Sequence, residues 1–189
     1  MATRSTDVRK GQVLEKDGEL LLITDYEHRT PGNLRSIIQL KLKNLNSGQN
    51  LSLRLSSAET VEVAFLDKKK SEYLYQESNG DYVFMDSESY EQFHLSKDLV
   101  GDKMGYVKPN EGVEVTFHGT TPIDIALPPS VILEVVEAEM AVKGNTATNV
   151  KKDAVLETGQ PIKVPLHIKA GERVKVSTET GDFMGRAND

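Results

Sequence analysis

The sequence predicts an all-β protein made of three small barrel- or sandwich-like modules in tandem. Three observations lead there. Apolar and polar residues alternate with period two in one short run after another. Gly, Asn and Pro turn signals separate the runs. The charge block Asp67-Lys68-Lys69-Lys70 and the pair Pro128-Pro129, which cannot donate to a strand ladder, divide the chain into 1–66, 67–130 and 131–189. Each piece has roughly 60 residues, about the smallest length that supports its own apolar core.

The first module carries the clearest strands. Leu20, Leu22 and Thr24 alternate with Leu21 and Ile23. Leu34, Ser36, Ile38, Leu40 and Leu42 form one face of a second run, with Arg35, Ile37, Gln39, Lys41 and Lys43 on the other. Leu51, Leu53 and Leu55 alternate with Ser52 and Arg54. Turns are expected at Asp17-Gly18, Pro31-Gly32 and Asn46-Ser47-Gly48. In the second module, Glu72–Gln76 and Asp81–Asp86 flank Ser78-Asn79-Gly80 as a hairpin. Ser96 is placed to cap a short helix through Val100, and Val113, Val115 and Phe117 define another strand. The third module gives strands at Val131–Val136, Pro161–Val164, Arg173–Ser177 and Gly181–Arg186.

Composition excludes several classes. The absence of cysteine removes disulfides, thiolate metal sites and cysteine nucleophiles. No apolar run approaches the ~18 residues of a membrane span. The N-terminus lacks the apolar stretch of a signal peptide, so a cytoplasmic protein is expected. Net charge is −6, yet it is unevenly laid out. Residues 1–58 hold nine Lys and Arg against six Asp and Glu, whereas 67–130 hold six against twelve. A basic first module and an acidic second one matter for any polyanionic partner, because steering depends on layout rather than on the sum.

No catalytic or metal constellation emerges. His28, His94, His118 and His167 are scattered, with no pair at ligand spacing, and no phosphate-binding or nucleophile-elbow motif is present. No enzyme activity, cofactor or metal is expected. Thr30-Pro31-Gly32-Asn33 is the sharpest local signal: a type II turn with Pro at the second position and Gly at the third. Arg29 and Arg35 flank its tip, and Lys41 and Lys43 lie further down the hairpin. Two readings stand: an ordinary exposed hairpin, or a stiff basic finger that reaches RNA phosphates.

These residues resemble bacterial elongation factor P over nearly the whole chain. The likeness is carried by Asp7-Val8-Arg9-Lys10-Gly11 as an opening strand and by the Pro-Gly hairpin after Glu27-His28-Arg29. It continues through Tyr73-Leu74-Tyr75, Tyr82–Asp86 and Ser89–Phe93, then Lys143–Ala147, Leu156–Gly159 and Ile162–Pro165, and the ending through Gly181-Asp182-Phe183 to Arg186. The resemblance implies an SH3-like (KOW-type) barrel followed by two OB-folds. It implies a monomeric, tRNA-shaped factor that contacts both ribosomal subunits, ribosomal RNA and peptidyl-tRNA, with no membrane partner. It further implies that the factor relieves stalls at consecutive prolines. The tip residues Arg29, Thr30, Pro31, Gly32, Asn33, Leu34 and Arg35 are then the RNA-contacting end, with Lys41, Lys43 and Arg186 as further contacts. Relatives carry a modifiable Lys or Arg at the tip, whereas this chain has Asn33. An elongation-factor-P-like paralogue, or a general OB-fold RNA-binding protein with aromatic platforms, are the alternative readings.

Overall fold

The computed structural model describes residues 1–32, 36–140 and 150–187. Among these are sixteen strands and one helix, and the all-β expectation holds. The strands β1 (Ala2–Arg4), β2 (Val13–Lys16), β3 (Glu19–Arg29), β4 (Ile37–Asn44), β5 (Asn50–Ser56) and β6 (Thr60–Val63) form one antiparallel sheet in the order β1-β6-β2-β3-β4-β5. Next come β7 (Asp67–Gln76), β8 (Tyr82–Asp86), β9 (Gln92–Leu95), helix α1 (Lys97–Met104), β10 (Gly112–His118) and β11 (Thr121–Ala126). Their strands order as β11-β10-β7-β8-β9. Finally β12 (Ser130–Ala138), β13 (Lys151–Leu156), β14 (Pro161–Pro165), β15 (Arg173–Ser177) and β16 (Phe183–Arg186) order as β14-β13-β12-β15-β16.

Alternation fixes what each sheet buries. Ile38, Leu40 and Leu42 of β4 point inward to meet Leu14, Leu21, Ile23 and Leu55, while Gln39 and Lys41 face water. Full burial of one such side chain contributes about 1.5–3 kcal/mol. In the third sheet the inward set is Leu133, Val135, Ala154, Leu156, Val164, Val174 and Val176.

Proximity groups the chain into two compact units: residues 1–69 with 116–124, and residues 70–115 with 125–189. Within the first, His118 Nε2 lies 3.1 Å from Glu15 Oε1. Within the second, Tyr106, just past α1, is buried among the β12–β15 core residues. There the Thr158 hydroxyl donates to the Gly105 carbonyl at 2.5 Å, and Lys108 Nζ lies 3.8 Å from Glu157 Oε1. Residues 105–108, just past α1, thus contact the third sheet.

Two details differ from expectation. Asp7–Gly11 is not a strand: the Asp7 N–H closes a turn onto the Arg4 carbonyl, and Gly11 adopts φ +89°. Val8 is buried from this irregular segment, so the opening strand that the resemblance implies is not formed here. The charge block Asp67–Lys70, which marks a division of the chain in the sequence, is not a break in strand structure but the start of β7. Its side chains are exposed, so charge carries little cost there, and Lys69 Nζ sits 4.9 Å from the centroid of the Phe117 ring.

Candidate functional site

The β3–β4 hairpin runs in register from Leu21↔Asn44 to Arg29↔Ile37. Its tip loop follows, and Asn33, Leu34 and Arg35 at its centre lie outside the described residues, as does the Lys143–Ala147 motif. Gly32 has φ +53°, the left-handed backbone that the predicted turn requires at this position, and a Cβ built there would meet nothing within 4 Å. The Thr30 and Ser36 hydroxyls lie 3.1 Å apart and bridge the base of the loop. Glu27, His28 and Arg29 are exposed in succession, so both faces of this end of β3 meet solvent.

A β-bulge at the root of the hairpin sets its direction. Ile23 pairs with Leu42 and Asp25 with Lys41, leaving Thr24 as an extra residue in β3. Such an insertion bends the strand and increases its twist. Two side chains fasten it. The Thr24 hydroxyl donates to the Lys41 carbonyl at 3.1 Å. The Asp25 carboxylate accepts from the Tyr26 N–H at 3.0 Å and from Lys41 Nζ at 3.1 Å. The Lys41 hydrogen bond, then that from Tyr26, lowers the Asp25 pKa below its ordinary value. A lowered carboxyl stabilises the fold above its unfolded pKa and loses that contribution as pH falls through the folded one. The clasp is thus intact at neutral pH and opens only in acid.

The cations named from the sequence are mostly occupied. Arg29 Nε lies 2.7 Å from Glu27 Oε1, a bond that raises the Arg29 pKa further. Lys41 holds Asp25, and Arg186, in the other compact unit, places Nη2 3.2 Å from Glu172 Oε1. Lys43 is half-buried on β4. All three ion pairs are substantially exposed, and such pairs are worth only ~0.2–1 kcal/mol. One cation was not singled out beforehand. Arg54 on β5 pairs with Gln39 and is exposed, next to the Ser52↔Lys41 pair. Alternation in the sequence already put it on the outer face. Only the β4–β5 register shows that this face is shared with Lys41.

Among the described residues no group of three or more His, Asp or Glu could hold a metal ion, and no helix is long and apolar enough to cross a membrane. Comparison with known proteins supplies what geometry leaves open. Residues 4–61 match the model of the elongation factor P KOW-like domain, 66–125 that of its OB domain, and 131–186 that of its C-terminal domain. The elongation factor P of Acidobacterium capsulatum is 41% identical over 187 residues, covering 99% of this chain and 100% of the relative. That of Kocuria rhizophila is 38% identical over 189 residues and covers both chains fully. Among solved structures, translation initiation factor 5A from Methanococcus jannaschii aligns over 67% of this chain and 94% of its own, with 18% identity and a TM-score of 0.46. Domain content and full-length identity define the class as a translation factor built of small β-barrels, not an enzyme. The chain belongs to the elongation factor P family.

Proposed function

We propose that this protein binds the ribosome beside peptidyl-tRNA and speeds peptide-bond formation where consecutive prolines stall it. The observation that carries this reading is the bulge-rooted β3–β4 hairpin with Gly32 at its tip, in a chain that matches the family from end to end. Proline reacts poorly because its ring fixes φ and restricts the approach of donor and acceptor. A stiff finger beside the acceptor end helps by orientation alone, which lowers the barrier without any protein nucleophile. In this reading Arg29, Thr30, Pro31, Gly32, Asn33, Leu34 and Arg35 form the RNA-contacting tip. Lys41, Lys43 and Arg186, joined by Arg54, meet phosphate or sugar. Both ribosomal subunits, ribosomal RNA and peptidyl-tRNA are the partners, and the factor acts as a cytoplasmic monomer, unmodified or unusually modified at Asn33.

A general single-strand binder fits the surface less well. It needs aromatic platforms on a basic groove, whereas Tyr73 and Phe84 are buried and the exposed Tyr75 and Tyr90 lie in the acidic third of the chain. The function is tested by ribosome profiling of a deletion strain. Pauses at proline runs, with other codons little changed, are the expected result; a profile without them rejects the function. Domain boundaries near residues 66 and 130 belong to the same proposal. Limited proteolysis is expected to give fragments ending close to these positions, from a protein whose circular dichroism is strand-dominated. A single resistant full-length core would argue against them.

A further inference from the structure

Three hairpin turns in this chain share one design. In Asn44–Gln49, Asp86–Glu91 and Ser177–Asp182 the first residue's N–H donates to the sixth residue's carbonyl. The fifth residue's N–H returns to the first residue's carbonyl. The first residue's side chain accepts from backbone N–H groups inside the loop: Asn44 from Asn46 and Ser47, Asp86 from Glu88 and Ser89, Ser177 from Thr180. In each the sixth residue's N–H reaches the fourth residue's hydroxyl.

This geometry puts the fifth residue in the left-handed region. Two of the turns meet that demand with glycine: Gly48 at φ +73° and Gly181 at φ +76°. The third uses Tyr90, at φ +60°. The other non-glycine residues at positive φ among those described are Asp17 and Asn110, of the types that tolerate it. A bulky side chain there is strained. The ring gains nothing inside the protein to offset this: Tyr90 is 71% exposed and takes part in no ring contact or side-chain hydrogen bond among the described residues. Strain retained at a rigid, exposed position points outward, to a contact made with something else.

The surroundings indicate what that is. Glu88 and Glu91 stand two residues before and one after Tyr90 in the same turn, both are exposed, and neither has a cation partner among the described residues. The whole 67–130 segment has twice as many acidic as basic residues. Phosphate is repelled here, while an arginine or lysine is drawn in, able to lie on the ring face with its charge between two carboxylates. We infer that the Asp86–Glu91 turn is a docking point for a basic protein segment, with Tyr90 as its aromatic anchor. The partner is placed on the ribosome, and in that respect the inference rests on the proposed function.

The test measures binding of the full chain to purified bacterial 70S ribosomes carrying peptidyl-tRNA. Tyr90→Gly relieves the backbone strain, so its Tm stays unchanged or rises by roughly 2 °C, yet its affinity is expected to fall about 5- to 10-fold. Tyr90→Phe keeps the ring and should bind within about twofold of wild type. The double variant Glu88→Lys/Glu91→Lys should also bind more weakly. A photoreactive phenylalanine analogue at position 90 should crosslink to ribosomal protein. Wild-type affinity in Tyr90→Gly, tighter binding by the charge-reversed variant, or crosslinks to RNA would each overturn the inference. Failure of the wild type to bind ribosomes would instead overturn the functional reading, and this partner with it.

Discussion

Gly32→Val is expected to lower the rate of Pro-Pro peptide-bond formation by about 10- to 100-fold in a reconstituted translation system, while the protein stays folded. The chain passes through Gly32 at φ +53°, and the space around a Cβ there is open. A Cβ there therefore meets no neighbour. The substitution acts through the backbone, where a β-branched residue in the left-handed region costs about 1–2 kcal/mol or more. The turn then relaxes into another conformation and carries the tip with it. Displacement of a positioning group by about 1 Å is enough to lose ~10²-fold in rate. The barrel below is held by Ile38, Leu40, Leu42 and their neighbours, so circular dichroism and Tm should change little.

Two companion variants separate geometry from contact. Arg35→Ala should lose activity several-fold, and the loss should shrink as salt rises, because phosphate contacts release counterions. Asn33→Ala should lose activity if its amide donates to the acceptor end. Pro31, which fixes φ ahead of Gly32, should be left in place in all three, since it limits the ordering entropy lost on docking. Full activity in Gly32→Val, Arg35→Ala and Asn33→Ala together would mean that the hairpin is not the working end.

Strand faces were legible where the alternation is regular. The run from Leu34 to Lys43 assigns Ile38, Leu40 and Leu42 to the core and Gln39 and Lys41 to solvent, and the structure agrees. Bulges were not legible, because an inserted residue leaves no compositional trace. Thr24 looks like one more alternating position, yet it is the unpaired residue that bends the finger. Leu74 hides a second register shift, which lies between Tyr73 and Tyr75. Strict alternation puts both tyrosines on one face, but Tyr73 is buried and Tyr75 is half exposed. Ion pairing was also out of reach: Arg29, Lys41 and Arg186 read as free cations in the sequence, and only register shows their carboxylates. The strain at Tyr90 is invisible for the same reason, since it lies in a turn geometry that two glycines elsewhere adopt without cost.

Phe84→Ala is expected to destabilise the protein by about 3–5 kcal/mol, the usual range for removing a buried phenylalanine. Phe84 is fully buried at the middle of β8. It pairs with Tyr73 on one side and Phe93 on the other, with ring centroids 5.5 Å and 5.9 Å away. The first ring is tilted and the second stacked, so the three side chains fill one layer across β7, β8 and β9. Alanine leaves a cavity that its neighbours cannot close, because both are anchored to backbone in the same ladder. With stability of about 5–15 kcal/mol for an ordinary domain, a loss of this size takes a large share. In a chain of this length it should appear as a drop of roughly 10 °C in Tm. Tyr75→Ala is the matched control: its ring is about half exposed, and its truncation should stay within about 1 kcal/mol of wild type. Thermal unfolding followed by circular dichroism reads both. If Phe84→Ala unfolds within about 2 °C of wild type, the aromatic layer is not what holds the central sheet together.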